Sequence, residues 1–259
     1  MKKSLKHALA ALAASASLLA APLAWSQAPT GGKAYITFTF DDAPVSVYTN
    51  AGPLFAKYGF PATLFVITNA VAGPAEQSWH MDWNQIHDLY QQGWEIGSHS
   101  HTHPYLTQIS DADLSKEVEQ SFSALAQEQL HPEVFASPYG DYNAKVVKAI
   151  AKRFTMHRRT FGADPELNGF NDTSSLDWMD ISAHVVTAGE SAGDLSALID
   201  QAIQENQWLV LCFHGIVKGT PATEYEYGYA DLDAILQYAY SAGISVVNFE
   251  QMRGIVGDK

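Results

Sequence analysis

An α/β fold on a parallel sheet, either closed into a barrel or doubly wound, is what three features of this chain predict. Strand-like and helix-like runs alternate along it in six or more β–α units. Hydrophobic residues make up 47% of its 259 positions, enough to fill one full core. Polar residues recur where strand-like runs end, the edge at which both kinds of sheet bind ligands.

The first 26 residues stand outside that alternation. Lys2, Lys3 and Lys6 precede an apolar run from Ala8 to Ala24, and Ala24-Trp25-Ser26 is a small-x-small site. That order predicts a secretory signal peptide over 1–26, a single domain over 27–259 and a secreted or periplasmic location. A retained anchor is the alternative, because about 17 apolar residues lie at the lower edge of what spans a bilayer. No stable membrane insertion is expected of the mature chain.

The elements then follow in order. Tyr35-Ile36-Thr37-Phe38-Thr39-Phe40 is β-branched and aromatic, a buried strand. A helix over Val45–Tyr58 stops at Gly59, and Ala62–Ile67 is the next strand. Trp83–Gln92 is a helix stopped by Gly93, with a short strand over Trp94–Gly97. Ser110 caps a helix from Asp111 to about Leu130, with Asp113 three positions after the cap. Val134–Ala136 is a strand and Tyr142–Arg153 a helix. Strands over Ile181–Val186 and Trp208–Phe213 flank a helix over Leu195–Asn206. Ala230–Ala242 is a helix with Gly243 as its stop. Ile244–Asn248 is the last strand, and a short helix starts at Glu250. No repeat, linker or charge block divides the chain.

Charge and cysteine usage narrow the function. Without Lys2, Lys3 and Lys6, the 15 basic residues fall to 12 against 28 acidic ones, a net of −16. That excludes nucleic acid and anionic membranes as partners and suits a neutral or cationic substrate. The single Cys212 forbids an internal disulfide and reads as a small buried hydrophobe. A monomer is expected.

Four strand ends carry polar residues to one face, one of them the strand at Val134, which Pro138 and Tyr139 follow. Asp41 and Asp42 follow the first strand; paired acids there are unfavourable unless a cation relieves them. His99 and His103 lie four apart in Ser98-His99-Ser100-His101-Thr102-His103-Pro104, and Pro104 places them on a loop after the strand at Trp94. Two imidazoles and one carboxylate with an open position make a catalytic metal site, with Asp42 as the carboxylate. Asp41 is then the general base and His214, at the end of the strand from Trp208, the acid. His101 points away from the pair. Zinc suits this ligand set; cobalt, nickel and manganese fit it too.

In order and interval, Thr39-Phe40-Asp41-Asp42, His99-Ser100 to His103-Pro104, Ser137-Pro138-Tyr139-Gly140 and Phe213-His214 resemble the polysaccharide deacetylases, carbohydrate esterase family 4. The resemblance runs along essentially the whole mature chain. It implies a distorted or incomplete (β/α) barrel and removal of acetyl groups from N-acetylhexosamine polymers or acetylated xylan. It implies Asp41 as catalytic base, His214 as catalytic acid and Asp42, His99 and His103 as ligands of a divalent metal. It further implies the Tyr139 backbone N–H facing the oxyanion, Asp177 orienting His214 and Trp178 lining the acetyl pocket. Two positions depart from the family pattern. Ala136 stands where an arginine usually braces the base, a place Arg158 or Arg159 could fill, and Ser174 replaces the first acid of the Asp177-Trp178 motif.

The expected function is a secreted metal-dependent N-deacetylase of an N-acetylglucosamine-containing poly- or oligosaccharide. An O-acetyl esterase on acetylxylan and a catalytically impaired carbohydrate-binding protein are the alternatives. Trp79, Trp83, Tyr105, Tyr225, Tyr227 and Tyr229 are candidate sugar-stacking rings, with Tyr225–Tyr229 the candidate substrate edge.

Overall fold

A computed structural model describes residues 34–72, 79–160 and 168–257. The segment over 1–26, expected to be a signal peptide, lies outside these residues. The strands are β1 (Tyr35–Phe40), β2 (Thr63–Val66), β3 (Glu95–Ser98), β4 (Val134–Ala136), β5 (Met156–Arg159), β6 (Phe170–Asn171), β7 (Ile181–Ser182), β8 (His184–Val185), β9 (Trp208–Phe213), β10 (Gly215–Val217), β11 (Glu226–Gly228) and β12 (Ser245–Val246). The helices are α1 (Gly52–Tyr58), α2 (Trp83–Gln91), α3 (Asp111–Gln127), α4 (Ala144–Ile150), α5 (Ala192–Glu205), α6 (Tyr229–Ala242) and α7 (Phe249–Val256). Among the described residues, no helix is long and apolar enough to cross a membrane.

β1 pairs in parallel with β9 along its whole length, and on its other edge with β12 at its start and β2 at its end. From β2 the parallel ladder continues through β3 and β4 to β5. A five-residue segment then closes the ring. Its first half, β7, pairs with β5, and its second half, β8, pairs with β9. The fold is therefore the expected (β/α) barrel, closed over seven parallel strand positions. Its distortion is local: at Ala183 the closing strand changes neighbours.

Strand alternation separates two apolar layers. Ile36, Phe38 and Phe40 of β1 and Leu209, Leu211 and Phe213 of β9 face outward into the layer beneath the helices. Phe65, Val134, Ala136, Met156, Ile181, Val210 and Cys212 fill the barrel interior. Gly97 belongs to that interior: a Cβ there would stand 2.6 Å from the Phe65 ring and 2.8 Å from Val134. The helix signals act as predicted. The Ser110 hydroxyl accepts the Asp113 N–H at 3.1 Å, and Gly59 ends α1 with a φ of 67°.

The short strands β6, β10 and β11 were not expected from the sequence, and neither was β5, the one among them that belongs to the barrel. Met156-His157-Arg158-Arg159 carries three basic or titratable side chains in four residues, yet all four are buried. Hydropathy cannot see such a strand, because the partners of its polar side chains lie elsewhere in the chain. His157 sits between the Ser137 hydroxyl at 2.8 Å and the Met179 carbonyl at 3.0 Å. Arg159 pairs with Asp180, and Arg158 points into the barrel.

Candidate active site

β1 delivers Asp41 by simple alternation. Thr37, Thr39 and Asp41 follow one another on its inward side, and the Asp41 N–H extends the ladder to the Phe213 carbonyl at 2.9 Å. Asp42 would face outward by the same rule. Its φ of 67°, followed by 55° at Ala43, turns the chain so that its carboxylate also reaches the barrel mouth. Ser100, His103 and Tyr139 share this left-handed conformation, with φ of 65°, 62° and 58°. Non-glycine residues held there are strained, and such strain gathers at functional sites.

The loop after β3 brings the imidazoles to Asp42. His99 Nε2 lies 3.6 Å from Asp42 Oδ1, His103 Nε2 lies 3.4 Å from the same oxygen, and the two Nε2 atoms are 3.1 Å apart. Ligand atoms about 2.0–2.2 Å from a tetrahedral cation stand about 3.3–3.6 Å from one another. Asp42 Oδ1 is otherwise a buried oxygen with no hydrogen-bond partner among the described residues. The His99 Nδ1–H donates to the Ala136 carbonyl at 2.9 Å, which keeps the proton on Nδ1 and leaves Nε2 bare for a metal. Burial holds the His99 pKa down to about 3 and lowers that of His103, so both rings are neutral, as ligands must be. Burial and the Asp41 charge push Asp42 up to about 7, the electrostatic strain that a cation relieves. The residues present therefore fit a divalent metal.

Asp41 has its own countercharge. Arg158 Nη2 donates to both carboxylate oxygens, at 2.5 and 2.6 Å, and the arginine is fully buried. The guanidinium also lies over the Phe65 ring, 4.9 Å from its centroid. Burial raises the Asp41 pKa, but the Arg158 charge and its hydrogen bonds outweigh it and hold the carboxyl well below the usual carboxylate range. Register explains how this arginine replaces one at Ala136: Ala136 and Arg158 are direct neighbours across β4 and β5. The same height in the barrel is reached from the next strand, and the small Ala136 side chain leaves the space open.

His214 follows β9, with Cys212 two residues below it on the same side, as alternation predicts. Asp41, Cys212 and His214 each offer a ligand-type atom, all within 4.8 Å of one another. Burial lowers the His214 pKa, and Tyr225 packs on its ring at 5.1 Å. The Tyr139 ring stands edge-on to His103 at 4.5 Å and stacks on Tyr105 at 4.0 Å. His101 is turned away from the ligand pair, its Nδ1 2.9 Å from the Thr68 hydroxyl.

Two assignments are corrected by this geometry. Asp177 does not orient His214: its Oδ1 accepts the Met179 N–H at 2.9 Å in an exposed turn, while His214 Nδ1 is buried without a partner among the described residues. Trp178 does not line the mouth. It packs 6.2 Å from Trp208, the first residue of the strand whose far end leads to His214. At about 3.3 Å per residue, that strand puts most of the barrel's height between them. The candidate stacking rings also divide. Trp79, Tyr105 and Tyr225 are exposed, whereas Tyr227 belongs to the core and Trp83 and Tyr229 pack against it.

Residues 28–157, half of the chain, match the family described as Polysaccharide deacetylase. The chain belongs to that family. Among similar polysaccharide deacetylases is the poly-beta-1,6-N-acetyl-D-glucosamine N-deacetylase of Staphylococcus epidermidis, 28% identical over 153 residues, 52% of each protein. The protein of the same name in Staphylococcus aureus strains is 28% identical over 134 residues, 46% of this chain and 45% of its own. The chain spans about half the length of these curated relatives. Its fold is similar to the Xyl-CE4 domain of a multidomain xylanase from the hindgut metagenome of Trinervitermes trinervoides, with TM-score 0.61 and 18% identity over 87% of this chain and 92% of that one. It is also similar to the family 4 carbohydrate esterase of Streptomyces lividans, with TM-score 0.56 and 21% identity over 83% and 92%.

Proposed function

We propose that this polysaccharide deacetylase is a secreted or periplasmic metal-dependent hydrolase that removes N-acetyl groups from an N-acetylglucosamine-containing poly- or oligosaccharide. The observation that carries this is the convergence of Asp42, His99 and His103 at 3.1–3.6 Å beside an arginine-braced Asp41. The staphylococcal relatives, named for poly-beta-1,6-N-acetyl-D-glucosamine, support the amide-bearing polymer as substrate class.

Asp42, His99 and His103 would hold the cation, zinc being the best match to two imidazoles and one carboxylate. When bound, it supplies Lewis-acid polarisation of the acetyl carbonyl and eases ionisation of water. Asp41, kept ionised by Arg158, takes a proton from the water as its oxygen bonds to the carbonyl carbon. The Tyr139 backbone N–H faces the oxygen that gains charge. His214 then gives a proton to the nitrogen as the C–N bond breaks, releasing acetate and a free amine.

The test is acetate release by the purified chain from β-1,6-linked N-acetylglucosamine oligomers, chitooligosaccharides and acetylxylan. N-acetylated oligomers should release acetate, chelation should stop it and added zinc should restore it. Zinc-loaded protein that frees no acetate from any N-acetylated glycan would falsify the proposal. Turnover of acetylxylan alone would make it an O-acetyl esterase, and sugar binding without any turnover a carbohydrate-binding protein.

A further inference from the structure

The inward stripe of α3 is Leu114, Glu117, Val118, Ser121 and Leu125, apolar except at two positions. Both polar residues end on the loop that carries the histidine pair. Glu117 Oε2 accepts the backbone N–H groups of His101 at 2.9 Å and Thr102 at 2.8 Å, and Oε1 accepts the Thr102 hydroxyl at 2.6 Å. Ser121 accepts the Ser98 hydroxyl at 2.8 Å, and the Ser98 oxygen in turn accepts the Ser100 N–H at 3.2 Å. Glu117 is only 8% exposed. Among the described residues, its hydrogen-bond partners are donors of one loop, not a lysine or arginine.

The loop needs such a hold. It contains two left-handed non-glycine residues, Ser100 and His103, on either side of the pair of N–H groups that Glu117 collects. Released, these residues relax toward ordinary backbone angles, and the 3.1 Å approach of the two Nε2 atoms opens. The other anchors are weaker in kind: the Ser100 hydroxyl accepts the His103 N–H at 2.9 Å within the loop, and the Ser100 and His101 carbonyls accept N–H groups of Thr68 at 3.3 Å and Asn69 at 2.9 Å. None of them carries a charge, and charge-assisted hydrogen bonds are roughly twice as strong as neutral ones.

We infer that Glu117 is a positioning residue of the metal centre, holding the His99–His103 loop in the strained shape that brings two imidazoles to one cation. This rests on the metal-dependent function proposed above. Gln can keep all three hydrogen bonds, because its oxygen takes the two N–H groups and its amide can donate to the Thr102 hydroxyl. Ala makes none, and Asp is one methylene too short to reach both N–H groups.

The experiment is zinc affinity of the full chain by competition with a chelating dye, beside apo-protein melting temperatures. Glu117→Ala and Glu117→Asp should weaken zinc binding at least about tenfold, the usual effect of losing an outer partner of a metal ligand. Glu117→Gln, which keeps the hydrogen bonds without the charge, should bind zinc more tightly than either and at most a few-fold below wild type. A lowered melting temperature with unchanged zinc affinity in the Asp variant would overturn the inference and leave Glu117 as an ordinary loop anchor. Should the Ala variant fail to fold, the contrast between Asp and Gln decides alone. Wild-type protein that binds no zinc would overturn the metal reading itself, whereas wild-type binding matched by all three variants overturns only the role of Glu117.

Discussion

Two buried carboxylates stand at opposite ends of the barrel and meet opposite fates. Asp41, at the C-terminal rim of β1, has a guanidinium on both oxygens and stays ionised far below neutral pH. Glu95, at the N-terminal start of β3, has only neutral donors: the Phe249 and Glu250 N–H groups at the head of α7 and the Thr63 hydroxyl, at 2.8, 3.3 and 3.2 Å. Burial pushes its pKa up to about 7 despite those donors. Desolvation acts on both; a buried countercharge decides which one stays ionised far below neutral pH and which holds its proton toward neutrality. The upper end of the barrel keeps a charge for chemistry, and the lower end fastens the last helix.

Removing the charge at the upper end should have the largest effect. Asp41→Asn should lower acetate release by about 10²–10⁴-fold, the range for loss of a general base, while zinc still binds. Turnover at the wild-type rate would remove Asp41 from the role of base.

Arg158→Ala leaves Asp41 buried and unpaired. We expect a loss of about 3–5 kcal/mol in denaturant unfolding, with activity falling alongside. The register neighbour offers a sharper trial. Ala136→Arg in the Arg158→Ala background should recover activity by returning the guanidinium from β4. If the double variant recovers nothing, the equivalence of the two positions fails.

At the lower end the effect is smaller and depends on pH. The Glu95 pKa rises from an ordinary 4.5 to about 7 on folding, so the folded chain holds this proton more tightly. Its contribution to stability is full below about pH 4.5 and is lost as pH rises to about 7, up to about 3 kcal/mol. Glu95→Gln keeps the acceptor oxygen and abolishes that loss. The variant should match wild type near pH 5 and exceed it at pH 8, measured as unfolding free energy against pH. Superimposable profiles would show that the two ends do not differ in this way.

The apolar strands were legible in sequence because each reads as β-branched or aromatic residues closed by turn residues; Tyr35–Phe40 and Trp208–Phe213 match residue for residue. The strand at Met156–Arg159 was not, because its apolar signal is replaced by side chains whose partners are remote: Arg158 meets Asp41 across 117 positions of chain. The regular β–α rhythm left a place for it after α4, and the missing arginine at Ala136 beside two arginines further on was the available hint. The candidate metal ligands were legible because Asp42, His99 and His103 sit at strand ends. Asp177 and Trp178 misled because their motif was carried over without the first acid, and the turn they occupy lies along the closing strand, away from His214. Glu117 left no signal, since one glutamate on an amphipathic helix reads as solvated surface.

The closing segment has a consequence for function. Arg158 pairs with Ile181 on one side of that segment and Cys212 with Val185 on the other. A ring of strands is a hoop, and its circumference sets the bore across which Arg158 reaches Asp41. Few backbone pairings on either side of Ala183 keep that hoop shut, so the reach of the guanidinium is gauged by the seam rather than by any residue of the reaction centre.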